Sequence, residues 1–168
     1  AAGQDVTVNG ATLEAGKDLI TEAKGKVDVA GNTNLTAKGN LSTAGQDVTV
    51  NGATLKADKD LTTDAKGNVA IEANANLTAQ GNLTTAGQDM RVRNGAILKA
   101  EQDLTAQAQG NATIENGAHL TAAENLSVAA GGSLLTEAGA VLEAGKKMTL
   151  KAGDDVTANS GAVLRAGE

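Results

Sequence analysis

One segment of the chain recurs at a fixed interval, and this recurrence constrains the fold more than any other feature. Residues 2–19 read AGQDVTVNGATLEAGKDL, residues 44–61 repeat them as AGQDVTVNGATLKADKDL, and residues 86–104 carry a more divergent third copy. Successive copies begin 42 residues apart. Self-similarity at such a period is typical of solenoids and other repeat architectures, so the fold depends on what one unit can form.

Each 42-residue unit divides into two shorter units, and a column of leucines marks eight of them. The column steps by 20 to 22 residues through Leu13, Leu35, Leu55, Leu77, Leu98, Leu120, Leu142 and Leu164. An alanine stands two residues after each leucine, and a small residue stands two residues before nearly all of them. Because side chains alternate across a strand, the pattern A-x-L-x-A places these three residues on one face of a short strand.

Two further columns predict two more strands in each unit. One begins with Leu19, Leu41, Leu61, Leu83, Leu104, Leu126 and Met148. The other is a pair of apolar residues, Val6/Val8, Val27/Val29, Val48/Val50, Val69/Ile71, Met90/Val92 and Ala112/Ile114, followed less clearly by Leu134 and Val156/Ala158. The next inward position of the leucine strand holds Thr21, Thr43, Thr63, Thr85, Ala106, Val128 and Leu150. A short polar side chain is therefore expected inside the N-terminal half and apolar ones later.

Three short strands with one apolar face each cannot bury themselves alone, but stacked coils can. The sequence therefore predicts an all-β fold, a single-stranded right-handed parallel β-helix of about eight coils of 20–22 residues with three short strands per coil. Coils with uneven sides do not match the six-residue sides of left-handed hexapeptide helices, and no copy has the L-x-x-L-x-L pattern of leucine-rich repeats. Residues 1–168 are expected to form one β-helical segment excised from a longer array.

Composition removes several kinds of site. The chain has no Cys, Trp, Tyr, Phe or Pro, which excludes disulfides, thiolate chemistry and cysteine metal sites. A net charge of -6 without a strong basic cluster argues against nucleic acid as a partner. No apolar run is long enough to span a bilayer, and no signal peptide is visible.

The phrases GNLTTAGQD, LTAKGNLSTAGQDVTV and NGATLEAGKDL resemble the haemagglutinin-type repeats of very large bacterial exoproteins secreted by the two-partner route. Filamentous haemagglutinin and the contact-dependent growth inhibition effectors are examples of this family. The resemblance covers essentially the whole chain and becomes looser after Ala129. It implies a right-handed β-helical shaft that is exported unfolded through an outer-membrane partner and displayed at the cell surface.

Two columns of Asp and Asn at the bends are the strongest candidates for a metal site. One reads Asp18, Asn40, Asp60, Asn82, Asp103, Asn125, Lys147, and the other reads Asp5, Lys26, Asp47, Asn68, Asp89, Asn111, Ser133, Asp155. Aspartates two coils apart would be separated by roughly 9.6 Å, too far to share a calcium ion bound at about 2.3–2.6 Å. The columns are instead expected to bond the backbone at the bends, with Asp and Asn alternating to relieve charge repulsion.

Other polar residues are also explained by the repeat. Six Asn-x-Ser/Thr sequons begin at Asn34, Asn40, Asn76, Asn82, Asn111 and Asn125, and glycosylation there is a minor alternative. An outward hydroxyl column, which is preceded by Ile20, comprises Ser42, Thr62, Thr84, Thr105, Ser127 and Thr149. His119 is the only histidine and has no partner at ligand spacing. Arg91 and Arg93, with an extra residue before Asn94, indicate either a bulge that directs charge at a partner or ordinary repeat drift.

These observations predict no catalytic, cofactor-binding or metal-binding residues, no cofactor and no enzymatic activity. The expected function is a structural shaft of a large secreted or surface-displayed adhesin or exoprotein, located outside the outer membrane. The alternative is an adhesive module whose outward sheet face contacts a host glycan or receptor. Expected partners are the rest of the parent exoprotein, the outer-membrane transporter during export and a host or target cell surface, with end-to-end self-association also expected.

Overall fold

Residues 4–167 fold into short strands and the bends between them. The structure, a computed structural model, describes residues 4–167, and within that range it contains 23 strands and no helix long and apolar enough to cross a membrane. In chain order the strands are β1 (Val6–Asn9), β2 (Thr12–Ala15), β3 (Leu19–Glu22), β4 (Val27–Ala30), β5 (Asn34–Ala37), β6 (Leu41–Gly45), β7 (Val48–Asn51), β8 (Thr54–Ala57), β9 (Leu61–Ala65), β10 (Val69–Glu72), β11 (Asn76–Ala79), β12 (Leu83–Gly87), β13 (Met90–Val92), β14 (Ile97–Ala100), β15 (Leu104–Ala108), β16 (Ala112–Ile114), β17 (His119–Ala122), β18 (Leu126–Ala130), β19 (Leu134–Thr136), β20 (Val141–Ala144), β21 (Met148–Ala152), β22 (Val156–Ala158) and β23 (Val163–Ala166).

Every third strand along the chain joins the same sheet, which gives three sheets around one axis. Sheet 1 has the order β1-β4-β7-β10-β13-β16-β19-β22, sheet 2 has β2-β5-β8-β11-β14-β17-β20-β23, and sheet 3 has β3-β6-β9-β12-β15-β18-β21. All of the pairings are parallel. Equivalent residues pair, as Leu77 does with Leu55 and Leu98. The predicted parallel solenoid with three strands per coil is confirmed.

The coil count differs slightly from the prediction of eight. Strands β1–β21 form seven complete coils, numbered 1–7, and β22 with β23 form two sides of coil 8. The eighth leucine of the sequence column, Leu164, therefore lies in an incomplete coil. At about 4.8 Å between paired strands, the distance from the first to the last strand of sheet 1 is about 34 Å.

The core is a narrow column of stacked leucine, valine and alanine side chains. In sheet 2 the leucines of coils 2–7 are 0% exposed, namely Leu35, Leu55, Leu77, Leu98, Leu120 and Leu142. Burial of each such side chain contributes about 1.5–3 kcal/mol. Thr43, Thr63 and Thr85 are also fully buried, as the sequence predicts for the N-terminal half. Val156 and Leu164 in coil 8 are 49% and 37% exposed, because no later coil covers them within the described residues.

The corner between sheets 1 and 2 changes partway along the solenoid. In coils 1 and 3 the chain passes from Asn9 or Asn51 through a single left-handed glycine, Gly10 or Gly52, with φ near 60°. Coil 2 has a corner one residue longer, with left-handed Gly31 and Asn32. From coil 4 onward every corner has this longer length, and the backbone N–H of an alanine donates to the carbonyl three residues earlier. These bonds join Ala75 to Glu72, Ala96 to Arg93, Ala118 to Glu115, Ala140 to Glu137, and Ala162 to Asn159. The extra residue before Asn94 therefore belongs to a regular β-turn that the later coils retain, rather than to a bulge.

Candidate functional site

The two Asp/Asn columns form ladders that join each coil to the next. In nine cases a side-chain Oδ1 accepts a hydrogen bond from a backbone N–H one coil later. The acceptor and donor residues are Asp5 and Lys26, Asp18 and Asn40, Asn40 and Asp60, Asp47 and Asn68, Asp60 and Asn82, Asn82 and Asp103, Asp89 and Asn111, Asp103 and Asn125, and Asn111 and Ser133. The predicted bonding to bend backbone is confirmed, and the bonds connect coils instead of closing their own bend.

Glycine determines how closely these acceptors approach. Six of the nine acceptors lie over a glycine of the next coil, where a Cβ would overlap the side-chain oxygen or approach it closely: Gly25, Gly39, Gly67, Gly81, Gly110 and Gly132. Their hydrogen bonds measure 2.7–2.9 Å. In the other three cases the position of the glycine is occupied by Lys59, Gln102 or Glu124, and the hydrogen bonds measure 3.0–3.2 Å.

This geometry adds a second physical reason for the alternation of Asp and Asn. Charge repulsion between coils is compatible with the pattern, but it does not explain why glycine alternates with it. In coil 2 Gly39 precedes Asn40, and Asp18 Oδ1 of coil 1 lies close over this glycine and accepts a 2.7 Å bond from the Asn40 N–H. In coil 3 Lys59 precedes Asp60, and the bond from the Asp60 N–H to Asn40 Oδ1 is longer, at 3.2 Å. The 42-residue repeat therefore corresponds to two coils that pack as a pair. One coil supplies the aspartate, and the next supplies the glycine over which the aspartate oxygen lies.

The ladders do not assemble a metal site within residues 4–167. No group of three or more His, Asp or Glu side chains in that range is arranged to hold a metal ion. The Oδ1 atoms that a cation would need already accept backbone hydrogen bonds. This arrangement suits acceptors that order the bends, and it provides no coordination sphere of the kind that calcium requires.

The remaining predicted surface residues lie on the outer faces without converging. His119 is exposed in sheet 2, between Ile97 and Val141 of the neighbouring coils. The hydroxyl column follows the outer face of sheet 3, where Thr84 pairs with Thr62 and Thr105. Of the sequon asparagines, Asn40, Asn82, Asn111 and Asn125 belong to the ladders, and Asn34 and Asn76 lie at the start of sheet 2 strands.

Arg91 and Arg93 form a charge cluster together with Glu72 and Glu115. Arg93 Nη2 lies 2.9 Å and 2.8 Å from the two carboxylate oxygens of Glu72 in the preceding coil. Arg91 Nε lies 3.7 Å from Glu115 Oε1 in the following coil. The cluster therefore connects coils 4, 5 and 6 at the corner where the longer β-turns begin.

Arg93 is the partly buried member of this cluster. Its hydrogen bonds to Glu72, and then the charge of that carboxylate, raise the pKa of the guanidinium above its ordinary value. Its Nε is buried and has no hydrogen-bond partner among the described residues. The side chain is 31% exposed, compared with 60% for Arg91, so Arg91 is the arginine that presents charge to solvent.

The cluster borders a groove of about 660 Å³ on the outer face of sheet 1. Its floor is the outward column Ala70, Arg91, Thr113 and Leu135 of coils 4–7, and ladder residues such as Asp89 form one side. Two carboxylates, Glu72 and Asp89, balance the two arginines that line the groove. The groove therefore offers an elongated surface of mixed polar and apolar character without strong net charge.

Sequence reasoning noticed the two arginines but not the groove. The groove depends on the small side chain of Ala70 and on the strand pairing that places Arg91, Thr113 and Leu135 in one line. The available signal was the equal spacing of these residues in the outward position of successive sheet 1 strands.

Comparison with protein families identifies the repeats at both ends of the chain. Residues 1–45 match a family model described as Haemagglutinin repeat, and residues 108–164 match a second one described as Hemagglutinin repeat. No curated protein and no solved structure matches the chain. The two matched segments cover coils with the same three-sheet architecture but different corners.

Proposed function

We propose that the chain, which matches haemagglutinin repeat models over residues 1–45 and 108–164, is a structural shaft of a large bacterial exoprotein. The shaft holds distal modules of the parent protein away from the cell that displays it. Its mechanism is geometric, because each coil adds a fixed length of about 4.8 Å and the coils differ little in cross-section.

The observation that carries this proposal is the continuity of the three parallel ladders. Sheets 1 and 2 run through eight strands and sheet 3 through seven, and the Asp/Asn ladders add side-chain bonds along the same direction. A load applied along the axis is therefore shared among several rows of hydrogen bonds between every pair of coils. The fully buried leucine column couples the coils further by excluding water from the axis.

A non-enzymatic role agrees with the surface of the described chain. The main groove is lined by Glu72, Asp89 and the two arginines, by small hydroxyl and amide side chains, and by apolar residues such as Leu135. Glu72, the partly buried acid of this set, is held by Arg93. Proteins that carry haemagglutinin repeats are structural or adhesive, and we extend that role to this chain.

The shaft proposal can be tested by measuring length, and the absence of native cysteine makes site-specific labelling simple. Thr7→Cys and Thr157→Cys place dyes on equivalent outward positions of coils 1 and 8, about 34 Å apart. Deleting residues 45–86 removes 42 residues and joins Ala44 to Gly87, which restores the sequence AGQD at the junction. We expect a folded chain in which the dyes are closer by about 10 Å.

The matched control deletes residues 45–75, which joins a sheet 3 strand directly to a sheet 2 strand. This change interrupts the order of sheets, so we expect lost cooperativity and no defined dye distance. Unfolding of the 42-residue deletion would show that the coils are not interchangeable spacers, and the shaft proposal would then be withdrawn.

A second candidate function is adhesion through an outward sheet face, and the groove on sheet 1 favours it. Arg91 is exposed, and it lies beside Thr113 along a groove that spans four coils. An adhesive role predicts binding of the purified chain to a glycan array or to host cells, with loss of binding in Arg91→Ala. Binding that survives this change, with Arg165→Ala as the control, would remove the groove from consideration.

Localisation and partners follow from the same proposal. We propose that the chain is displayed outside the outer membrane after export through a two-partner transporter, attached to the rest of its parent protein. Protease treatment of intact cells should degrade the displayed segment, whereas an internal protein would survive. When residues 1–168 are prepared as an isolated segment, the exposed Val156 and Leu164 also predict weak end-to-end association, visible as concentration-dependent sedimentation.

A further inference from the structure

The corners between sheets 1 and 2 contain Asn-Gly sequences, which are chemically susceptible to loss of the asparagine amide. The four pairs are Asn9–Gly10, Asn51–Gly52, Asn94–Gly95 and Asn116–Gly117, and all four asparagines are exposed. Sequence and exposure therefore do not distinguish them. Their backbone surroundings do, because the reaction requires the glycine nitrogen to act as the nucleophile.

Three of the four glycine nitrogens are engaged by the neighbouring coil. Gly52 N–H donates to the Glu72 carbonyl at 3.1 Å, and Gly10 and Gly117 N–H donate at 3.3 Å to Ala30 and Gly139. A nitrogen that donates in this way must first give up that bond before its proton can leave and its lone pair can turn toward the asparagine side chain. These pairs are protected to the extent that their ladder bond persists.

Gly95 differs from the other three. Its N–H makes no hydrogen bond to the described residues, although Gly117, at the same third position of the next β-turn, donates to the Gly139 carbonyl. Asn94 and Gly95 both have left-handed backbone conformations, with φ of 53° and 76°. This corner is the first of the C-terminal half, beside the arginine cluster.

We propose that Asn94 is a self-modifying site of this chain, which converts to aspartate and isoaspartate through attack by its own backbone. The Gly95 nitrogen loses its proton to hydroxide and bonds to Asn94 Cγ, the Cγ–Nδ2 bond breaks, and ammonia leaves with a proton from water. Water then adds to either carbonyl of the resulting cyclic imide and opens it. No enzyme or further reactant is needed.

The change has a defined structural consequence. The Asn94 carbonyl accepts a hydrogen bond of 2.9 Å from the Asn74 N–H of the preceding coil. An isoaspartate adds a methylene to the backbone at this point and a negative charge near Glu72 and Glu115. The corner between coils 4 and 6 is therefore weakened with age while the sheets on either side keep their ladders.

Peptide mass mapping of the folded chain, incubated in mildly alkaline buffer, tests the proposal. The measured quantity is the rate at which each asparagine exchanges its amide NH₂ for OH. Asn94 should react about fivefold faster than Asn51, the factor equivalent to one net hydrogen bond of about 1 kcal/mol. Incubation in denaturant should bring the two rates together, because both sites have the same Asn-Gly chemistry. Equal rates in the folded chain, or a faster rate at Asn51, would overturn the proposal.

Hydrogen exchange provides a second measurement that needs no substitution. The Gly95 amide should exchange faster than the Gly52 amide of coil 3, which is held by Glu72. Equal protection of the two amides would contradict the proposed cause even if Asn94 reacted first. As a variant control, Asn94→Gln lengthens the side chain and should abolish modification at this corner, while the rate at Asn51 stays unchanged.

Discussion

Coils 1–4 and coils 5–8 enclose the same leucine column but differ in what surrounds it. The N-terminal half carries buried threonines in sheet 3, alternates glycine with longer side chains beneath its ladders, and has three kinds of corner between sheets 1 and 2. The C-terminal half replaces those threonines with Ala106, Val128 and Leu150 and uses one β-turn at every corner. A shared column of apolar residues is thus compatible with two different ways of turning the chain.

The family comparison separates the same two regions. Two distinct haemagglutinin repeat models match residues 1–45 and 108–164, and the change of corner lies between these segments. The Arg93–Glu72 pair joins coils 4 and 5, the first two coils with a β-turn at this corner. The difference teaches that repeat type is specified by bends and ladders, whereas the solenoid itself is specified by the core.

The largest expected effect on stability comes from the buried leucine column, which both halves share. Leu77→Asp and Leu120→Asp each bury an unpaired carboxylate in a central coil, so each should lower the free energy of unfolding by more than about 4 kcal/mol. Urea denaturation monitored by circular dichroism measures both. Unequal losses would show that the leucine column is not equivalent in the two halves. Leu164→Asp, in the partly exposed coil 8, is the matched control and should cost far less.

The second prediction concerns the glycine alternation of the N-terminal half. In Gly39→Ala the new Cβ would overlap Asp18 Oδ1 and lie 3.0 Å from the Lys17 carbonyl carbon. We expect a loss of about 1–3 kcal/mol, as for other overpacked sites. Asp18→Ala in the same chain should recover part of that loss, and a double-mutant cycle measures the coupling. Additive effects would mean that the ladder does not depend on glycine.

The third prediction concerns the junction between the halves. Arg93→Ala removes a partly buried charged pair with Glu72 and should cost about 1 kcal/mol. Arg165→Ala removes the more exposed pair with Glu143 and should cost about 0.3 kcal/mol. Thermal unfolding at low and high salt distinguishes them, because screening weakens the exposed pair more. A larger loss of stability for Arg165→Ala than for Arg93→Ala would contradict the prediction that the pair at the junction is the stronger one.

The smallest effect should have the opposite sign. The Thr85 hydroxyl is fully buried and donates to the Met90 sulfur at 3.2 Å, which is a weak acceptor. Thr85→Val gives the N-terminal half the kind of residue found at Val128, so stability should stay equal or rise by up to about 1 kcal/mol. Chemical denaturation measures it. A clear loss would show that the threonine column stabilises its half.

Much of the fold was predictable from sequence because each coil repeats the same inward residues. The alternation of Ala, Leu and Ala around Leu77, for example, predicts the strand, its buried face and its pairing with Leu55 and Leu98. The incomplete eighth coil was less visible, since Leu164 keeps the pattern although no third strand follows it within the described residues. The register of each strand can be read from its own residues, whereas the burial of a residue in the last described coil depends on which strands pack against it.

The surface features were harder to predict because they depend on distances between coils. The Asp18 pattern indicates a bend, but only the stacking shows that its oxygen reaches Asn40 and needs Gly39 beneath it. The groove beside Arg91 likewise arises from residues more than twenty positions apart in sequence. The hydrogen-bond state of Gly95 depends on where the following coil places its carbonyls, and no local motif encodes that position.

The ladder bonds all point one way, since the accepting oxygen always belongs to the earlier coil and the donating N–H to the later one. A folded coil thus presents side-chain acceptors to the next coil, which lies C-terminal to it and has not yet folded. A coil presents no such acceptors to the coil that precedes it. Such an array has a growing end and a starting end. It can be lengthened by duplicating a pair of coils in the gene, because each added pair presents the same template to whatever follows.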